Sequence, residues 1–156
     1  MRIHLIAVGT RMDDWVNSAY EEYARRLPPS CALRLIEVPA GKATKNSLVE
    51  RRIAAEGERQ LAVIPANAHV VILDERGREW DTRQCAGRLE RWLADGRDVA
   101  LLVGGADGLA AACRERAEES WSLSRLTLPH PLVRVIVAEQ LYRAWSLLNH
   151  HPYHRA

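Results

Sequence analysis

Three short runs of mostly apolar residues set the strongest constraint on how this chain folds. They cover residues 2–8, 69–74 and 98–103, and a stretch with helical spacing follows each of them. A strand that is apolar on both faces has to be buried on both faces, which is typical of parallel sheets covered by helices. Together with the alternating run at 31–38, these strands predict an α/β fold with a mainly parallel sheet and helices on both faces.

The segments between the strands carry the signals that begin and end helices. Asp13 or Asp14 can cap the first helix. Asp81 or Thr82 can cap the third helix, which Gly96 is suited to end. The other expected elements are helices at 13–27, 47–64, 81–96, 109–120 and 131–150, a polar loop at 75–80, and a fifth strand and loop at 121–128.

The length and composition are those of an ordinary globular chain. With 156 residues and no linker, repeat or low-complexity tract, the sequence predicts one domain. The formal net charge of +2 argues against a histone-like polyanion binder but allows local basic patches. The three isolated cysteines form no CxxC pair, which argues against a zinc site or redox dithiol and fits a reducing cytosol. We find no signal-peptide pattern and no apolar run near the roughly 20 residues of a membrane span, so we expect a soluble cytoplasmic protein.

Parallel sheets bind ligands at the carboxyl ends of their strands, so the loops that follow the strands are where a site is expected. One of these loops is the turn GGADG, in which Gly104 and Gly105 directly follow a strand. Its glycines allow a ligand to approach the backbone closely, but a tight strand-to-helix connection is an equally good interpretation. The turn matches neither the GxGxxG dinucleotide pattern nor a P-loop. Asp74 and Glu75 end another strand and are either acceptors for ribose hydroxyls or a cation, or ordinary loop acids.

The stretch LSRLTLPHPLVR, residues 123–134, joins an apolar loop to the start of the last helix. Pro131 suits the first position of a helix, and Pro129 holds His130 extended. The leucine-rich loop before the prolines makes a rigid apolar wall for a flat group such as adenine, whose edge its backbone groups can read. We interpret His130 as structural in the first place and as catalytic only in the second.

The last helix and the tail that follows it offer surfaces for partners. The apolar arc of residues 133–150 is wider than one core-facing stripe requires, which indicates either a subunit interface or a central core helix. The tail NHHPYHRA holds three histidines, but Pro152 breaks the spacing that a metal site needs, so no metal is predicted. Tyr153, His154 and Arg155 can stack on a base and contact phosphate, unless the chain end is disordered and without function.

Basic residues in the loops are candidates for a phosphate footprint, although a solvated helix face is the competing interpretation for Arg51 and Arg52. Trp80 lies in a polar stretch and is the tryptophan best suited to stacking on a base. The other four tryptophans, including Trp15, fall in apolar patterns typical of core or interface positions. The basic residues concerned are Arg11, Lys42, Lys45, Arg51, Arg52, Arg76, Arg78 and Arg83.

Taken in order, several stretches resemble the small SPOUT-class methyltransferases of the RlmH type. Members of this family methylate N3 of a pseudouridine in helix 69, the intersubunit-bridge stem-loop of bacterial 23S ribosomal RNA. The resemblance covers essentially the whole chain. It rests on AVGTRMDDWV, EVPAGK, LDERG, ERWLADGRDVALLVGGADG, SWSLSRLTLPHPLVRV, AEQLYRAWS and NHHPYHR.

The resemblance implies the SPOUT or α/β-knot architecture, a single domain over residues 1–156 with a C-terminal trefoil knot within roughly residues 70–150. It also implies a homodimer packed through the knotted region and S-adenosylmethionine held in the knot. The positions that match the cofactor-binding residues of the family are Leu73, Gly104, Leu123, Ser124, Arg125, Leu126, Thr127 and Leu128.

The chemistry that the resemblance implies needs neither a metal nor a covalent enzyme intermediate, because the sulfonium of the donor is already activated. A base has to accept the N3 proton. The catalytic candidates are His154, Tyr153 and Arg155 from the tail, with His130 as a weaker one. The resemblance also suggests a composite site, in which one subunit holds the cofactor and its partner supplies the tail.

The substrate that the resemblance implies is 23S ribosomal RNA, within the ribosome. Two alternatives stay open at the level of the sequence. One is a non-catalytic RNA- or ribosome-binding protein with the same fold, and the other is a methyltransferase for a different RNA nucleotide.

Overall fold

The computed structural model describes residues 1–42, 44 and 48–154, and in these ranges strands and helices alternate along the chain. The strands are β1 (Arg2–Val8), β2 (Ala32–Val38), β3 (His69–Glu79), β4 (Val99–Val103) and β5 (Glu119–Ser122). The helices are α1 (Asp14–Ala24), α2 (Val49–Ala62), α3 (Thr82–Asp95), α4 (Ala111–Arg116) and α5 (His130–Leu148), and a 3-10 turn, Pro29–Cys31, precedes β2.

The strands form one parallel sheet in the order β2-β1-β4-β3-β5. Every residue of β4 is buried, as is every residue of β1 after Arg2. Successive side chains of a strand point to opposite faces, so Leu101 packs among α1, α3 and α5 while Leu102 packs among α2 and α4. The predicted α/β fold with helices on both faces of a parallel sheet is therefore confirmed.

The prediction of a polar loop at 75–80 is wrong, because β3 continues to Glu79. Its pairing with β5 is irregular between Leu73 and Arg78 and then resumes, with Arg78 beside Trp121. Beyond Leu73 the strand pairs with β5 only, since β4 ends opposite this residue. A strand that is open to solvent on one side carries polar side chains readily, and this is why its sequence looks like a loop.

The segment around β5 also differs from its prediction. The fifth strand expected within 121–128 is Glu119–Ser122, which begins two residues earlier and is followed by the expected loop. The expected helix at 109–120 is reduced to Ala111–Arg116. Glu119 belongs to the strand because its carboxylate is bound there, by the His69 ring at 2.6 Å and by the Arg88 guanidinium at 2.6 Å. These partners are remote in sequence, so local pattern could not indicate them.

The predicted helix signals are confirmed at α3 but not at α1, where Asp13 is at the N-cap position and its side chain makes no capping hydrogen bond. Asp81 and Gln84 form a reciprocal capping box at the start of α3, and Gly96 ends this helix in the left-handed conformation, with φ of 80°. At the last helix the prediction was off by one position. His130 is the first residue of α5 and Pro131 is the second, still within the first turn, where a missing N–H costs nothing.

The structure bears on the predictions for two of the tryptophans, Trp80 and Trp15. Trp80 stacks on Trp121, with ring centroids 4.7 Å apart and planes 15° apart, and it packs against the main core. The face of its indole ring is thus covered inside the protein and is not free to stack on a base. Trp15 is 58% exposed, which excludes the core, whereas an interface position for it stays a prediction.

The three cysteines, Cys31, Cys85 and Cys113, are buried and form no disulfide. They pack in the two cores as small apolar groups. None of the helices in the described part of the chain is both long and apolar enough to cross a membrane.

Two helical glycines give a matched test of this packing. A Cβ on Gly57 of α2 would lie 2.4 Å from the Cβ of Ala110, whereas a Cβ on Gly87 of α3 would meet no atom within 4 Å. We expect Gly57→Ala to lower the free energy of unfolding by about 1–3 kcal/mol through overpacking. We expect Gly87→Ala to raise it by about 0.5–1 kcal/mol, because alanine is the better helix former. Urea unfolding at one fixed protein concentration measures both, and a stabilised Gly57→Ala variant would contradict the packing of α2 against α4.

Candidate functional site

A pocket of about 510 Å³ lies at the carboxyl edge of the sheet, where the middle of β3 meets the segments after β4 and β5. Its volume is in the range of small-molecule sites, and its position is the edge at which parallel sheets bind ligands. The lining consists of residues 73–76, 103–109, Arg114, Trp121, Leu123, Ser124, 126–128, His130 and Val133.

The structure brings nearly all of the predicted cofactor-binding residues together in this pocket. Leu73 comes from β3, Gly104 from the turn after β4, and the others from the loop after β5. Arg125 is the exception, because its side chain is exposed and does not line the pocket.

The turn GGADG forms a wall of bare backbone. A Cβ on Gly104 would lie 2.6 Å from the carbonyl carbon of Gly108 and 2.9 Å from the backbone nitrogen of Leu109. The N–H of Gly108 donates to the carbonyl of Gly105 at 3.1 Å, and Gly108 has a φ of 91°. Backbone atoms cannot turn aside as a side chain can, so a side chain at position 104 would force the turn open.

The wall formed by the loop after β5 is held by short-range hydrogen bonds. The Ser122 hydroxyl donates to the carbonyl of Ser124 at 2.9 Å, and the N–H of Leu126 donates to the Ser124 hydroxyl at 2.9 Å. The Thr127 hydroxyl donates to the Glu75 carboxylate at 3.0 Å and thereby ties the loop to β3. Its apolar member Leu126 is 73% exposed at the pocket.

The acidic residues Asp74 and Glu75 in the middle of β3 are already bound by other groups of the protein. Asp74 forms an ion pair with Arg114 and accepts the N–H of Arg76 at 3.0 Å. Glu75 accepts from Thr127. Of the two interpretations that the sequence allowed, structural loop acids are therefore favoured over free acceptors for a ligand. The sequence did not single out Arg114, which brings a charge into the pocket lining.

His130 lies in the pocket lining, with its Nδ1 buried and without a hydrogen-bond partner among the described residues. Burial and the neighbouring Arg134 guanidinium lower its pKa, so the ring is neutral at neutral pH. The ring also packs closely on Gly9, where a Cβ would lie 3.4 Å from its Cε1. This close packing is in keeping with the structural interpretation of His130.

Arg134 anchors the pocket to the rest of the sheet, and the sequence analysis missed it. The residue is 1% exposed. Its guanidinium donates to the Glu37 carboxylate at 2.6 Å and to the carbonyls of Gly9 at 2.8 Å and Val8 at 3.4 Å. It therefore joins the first turn of α5 to the ends of β1 and β2. A lone arginine within an apolar helical run was the signal that could have found it.

Of the predicted catalytic tail, the two described residues, Tyr153 and His154, do not line the pocket of their own chain. Tyr153 lies beside α5, where its hydroxyl donates to the Glu139 carboxylate at 2.9 Å. Glu139 is nine residues beyond His130, which is about 14 Å along the helix axis. His154 is half-buried beside Tyr153, and Arg155 lies outside the described residues.

The hydroxyl of Tyr153 is strongly biased toward its protonated form. Burial and the hydrogen bond to Glu139 raise its pKa to about 12. At neutral pH this hydroxyl is therefore protonated. It donates a hydrogen bond and is a poor acceptor of a proton.

The basic residues of the loops are partly paired. Arg52 contacts Asp107 of the GGADG turn at 3.2 Å, and the largely exposed Arg76 contacts Asp74 at 3.5 Å. Lys45 lies outside the described residues. The phosphate footprint thus stays a prediction. No group of three side chains suited to holding a metal occurs in the part of the chain that the structure describes.

Comparison with known proteins places this fold and pocket in a family. The model of the family described as predicted SPOUT methyltransferase matches residues 1–154. A curated protein of Methylococcus capsulatus named ribosomal RNA large subunit methyltransferase H is 64% identical over 155 residues, which cover 99% of this chain and 100% of that protein. The chain therefore belongs to the SPOUT methyltransferase family.

Solved structures with low sequence identity agree on the fold. A probable methyltransferase from Bordetella pertussis Tohama I has a TM-score of 0.55 at 16% identity, covering 91% of this chain and 95% of that one. A probable methylase family protein from Haemophilus influenzae Rd KW20 has a TM-score of 0.57 at 14% identity, covering 99% of this chain and 70% of that one.

The role of Arg134 can be tested through stability. Arg134→Met leaves the carbonyls of Val8 and Gly9 without this donor in a buried place, so we expect a loss of about 3 kcal/mol in the free energy of unfolding. The matched control is Arg91→Met on the exposed face of α3, which should change it by no more than about 0.5 kcal/mol. Urea unfolding compares the two, and equal values would show that the buried guanidinium contributes little.

Proposed function

We propose that this protein is an S-adenosylmethionine-dependent methyltransferase that methylates N3 of a pseudouridine in helix 69 of 23S ribosomal RNA. The observation that carries the proposal is a backbone-walled pocket at the carboxyl edge of the sheet, in a chain that is 64% identical over its length to a protein named as a ribosomal RNA large subunit methyltransferase. The specific nucleotide comes from the resemblance of the sequence motifs to the RlmH type.

The pocket fits the proposed methyl donor. A ligand with a flat adenine and a chain of methionine atoms needs an elongated site with apolar walls and a few polar groups. Leucine side chains, the exposed edge of a glycine turn and the Asp74–Arg114 pair supply these features. The residues that we propose to hold the donor are Leu73, Gly104, Leu123, Ser124, Leu126, Thr127 and Leu128, with Arg125 at the rim.

S-adenosylmethionine, when bound, supplies a methyl group on a cationic sulfur that leaves as a neutral thioether. The main task of the protein is then alignment, because an in-line displacement gains most from holding both reactants in place. The leucine-rich loop and the GGADG turn hold one reactant and keep water away from it. A second group has to receive the N3 proton when the new bond to nitrogen forms.

We propose that His154 receives this proton. Among the tail residues, Tyr153 is held protonated by its high pKa, and imidazole is the side chain that exchanges protons near neutral pH. We propose that Arg155 stabilises the charge that develops on the uracil carbonyls.

We infer that the active species is a homodimer with composite sites. Tyr153 and His154, the described residues of the predicted catalytic tail, do not line the pocket of their own chain, so a second copy is the simplest source of the tail residues. Val133, Val135, Ile136, Leu147 and Leu148 of α5 are only partly buried in the single chain, and they offer an apolar interface. We also propose that the chain is a single domain whose residues 70–150 form the knot of the family, and that its RNA substrate is met within the ribosome.

The decisive experiment uses ribosomes from a strain that lacks this modification. We expect the purified protein and S-adenosylmethionine to add one methyl group to a pseudouridine of helix 69, detected by mass mapping of the rRNA. A variant that ends at His151 should bind S-adenosylmethionine like the wild type but transfer nothing. Donor binding by the wild type without transfer would favour a non-catalytic ribosome-binding protein, and a methyl group elsewhere would favour a different nucleotide specificity.

The placement of the donor is tested at the glycine turn. Gly104→Ala drives a Cβ into the backbone of Gly108, so we expect the affinity for S-adenosylmethionine to fall at least about tenfold. Gly87→Ala, far from the pocket and free of close contacts, should bind like the wild type. Isothermal calorimetry measures both affinities, and normal binding by Gly104→Ala would place the donor elsewhere.

A further inference from the structure

The tail folds back along α5 after a sharp reversal. His150 takes a left-handed conformation, with φ of 54°, just after α5 ends. The N–H of His151 then donates to the carbonyl of Ser146 at 2.9 Å, and the ring of His151 lies 5.7 Å from that of Trp145. Residues 151–153 thus run back toward the middle of α5.

Tyr153 is the residue at which the returning tail is held. Its ring lies 4.6 Å from that of Tyr142. The guanidinium of Arg143 lies 5.1 Å from the centre of the Tyr153 ring, and that of Arg26, from the end of α1, lies 6.0 Å from it. The only polar atom of the side chain donates to Glu139 at 2.9 Å.

Hydrogen bonds from its neighbours hold the Glu139 carboxylate in place to accept from Tyr153. Its side chain is 17% exposed and receives both Nε and Nη2 of Arg143 on Oε1, at 2.9 and 2.6 Å. Its Oε2 accepts from the Gln140 amide at 2.6 Å. A carboxylate with this many donors is fixed in orientation, and its negative charge strengthens the bond from the phenol.

We propose that Glu139 is a positioning residue for methyl transfer, which fixes Tyr153 on α5 and thereby sets where the adjacent His154 is presented to the pocket of the partner subunit. This inference rests on the proposed function and assigns different roles to two residues of the tail. Tyr153 is an anchor, and His154 is the group that meets the substrate. Val135 and Ile136, two of the apolar residues proposed for the dimer interface, lie one turn before Glu139 on the same side of α5, so an anchor at Glu139 holds the tail near the proposed subunit boundary.

The test compares kinetic constants of the dimer on ribosomes that lack the methyl group. Tyr153→Phe deletes the donor and leaves α5 intact, and Glu139→Ala deletes the acceptor. We expect each to lower kcat at least about tenfold with an unchanged KM for S-adenosylmethionine, because a hydrogen bond to a charged group is lost far from the donor pocket. Glu139→Gln keeps an acceptor oxygen and should recover part of the activity. Glu90→Gln, on an exposed position of α3, is the matched control and should behave as the wild type.

Two further measurements separate positioning from a general structural role. The double variant Glu139→Ala/Tyr153→Phe should be no slower than the slower single variant, because both changes break one contact. The pH profile of Tyr153→Phe should keep the wild-type shape at a lower height, since an anchoring phenol does not titrate in the reaction. Hydrogen exchange at residues 149–154 should rise in Tyr153→Phe and in Glu139→Ala but not in Glu90→Gln.

Several results would overturn the proposal. If the wild type is active and Tyr153→Phe and Glu139→Ala have unchanged kcat, the positioning role alone is refuted. The same holds if the losses in kcat of the two single variants multiply in the double variant. A pH profile that loses a limb in Tyr153→Phe would make the phenol itself the proton acceptor. A wild type that transfers no methyl group would refute the proposed function, and this inference with it.

Discussion

The burial of β4 on both faces is the constraint on which the rest of this structure depends. The strand lies between β1 and β3, and all of its side chains are removed from water. Such a strand requires a layer of helices on each side, and crossover helices return the chain to the same edge of the sheet each time. The middle of β3 and the loops after β4 and β5 are thereby gathered in one place. The pocket follows from this topology before any side chain is considered.

The fold was predictable wherever a local pattern decides the structure. Apolar runs predicted the central strands, and the cap at Asp81 and the stop at Gly96 marked α3 correctly. The failures share a physical cause, which is long-range pairing. The polar end of β3 becomes a strand because β5 lies beside it, and Glu119 joins β5 because His69, which is 50 residues away, binds its carboxylate. A knot is a property of the chain path, which residue patterns do not encode, so the knot proposed for this chain rests on the resemblance to the family.

The candidate site was predictable in its location but not in its polar framework. Motif order indicated the turn at Gly104 and the loop after β5, although their side chains carry little chemistry of their own. Arg134 and Glu139 escaped notice because a charge on an apolar helix is explained only by its partners. For Arg134 these are 97 to 126 residues away in sequence. The tail residues were named from resemblance, whereas the anchoring of Tyr153 needed the fold of α5 and the reversal at His150.

The cluster of indole rings at the β3–β5 edge makes the protein its own optical probe. Trp80 stacks on Trp121 and meets Trp92 of α3 edge-on at 6.3 Å, so the three rings join two strands and a helix. Rings held in a fixed asymmetric arrangement dominate near-ultraviolet circular dichroism, which reports on tertiary packing independently of helix content. Trp121 also lines the pocket. Occupancy of the pocket and separation of α3 from the sheet can therefore be followed by near-ultraviolet circular dichroism, without attaching a label.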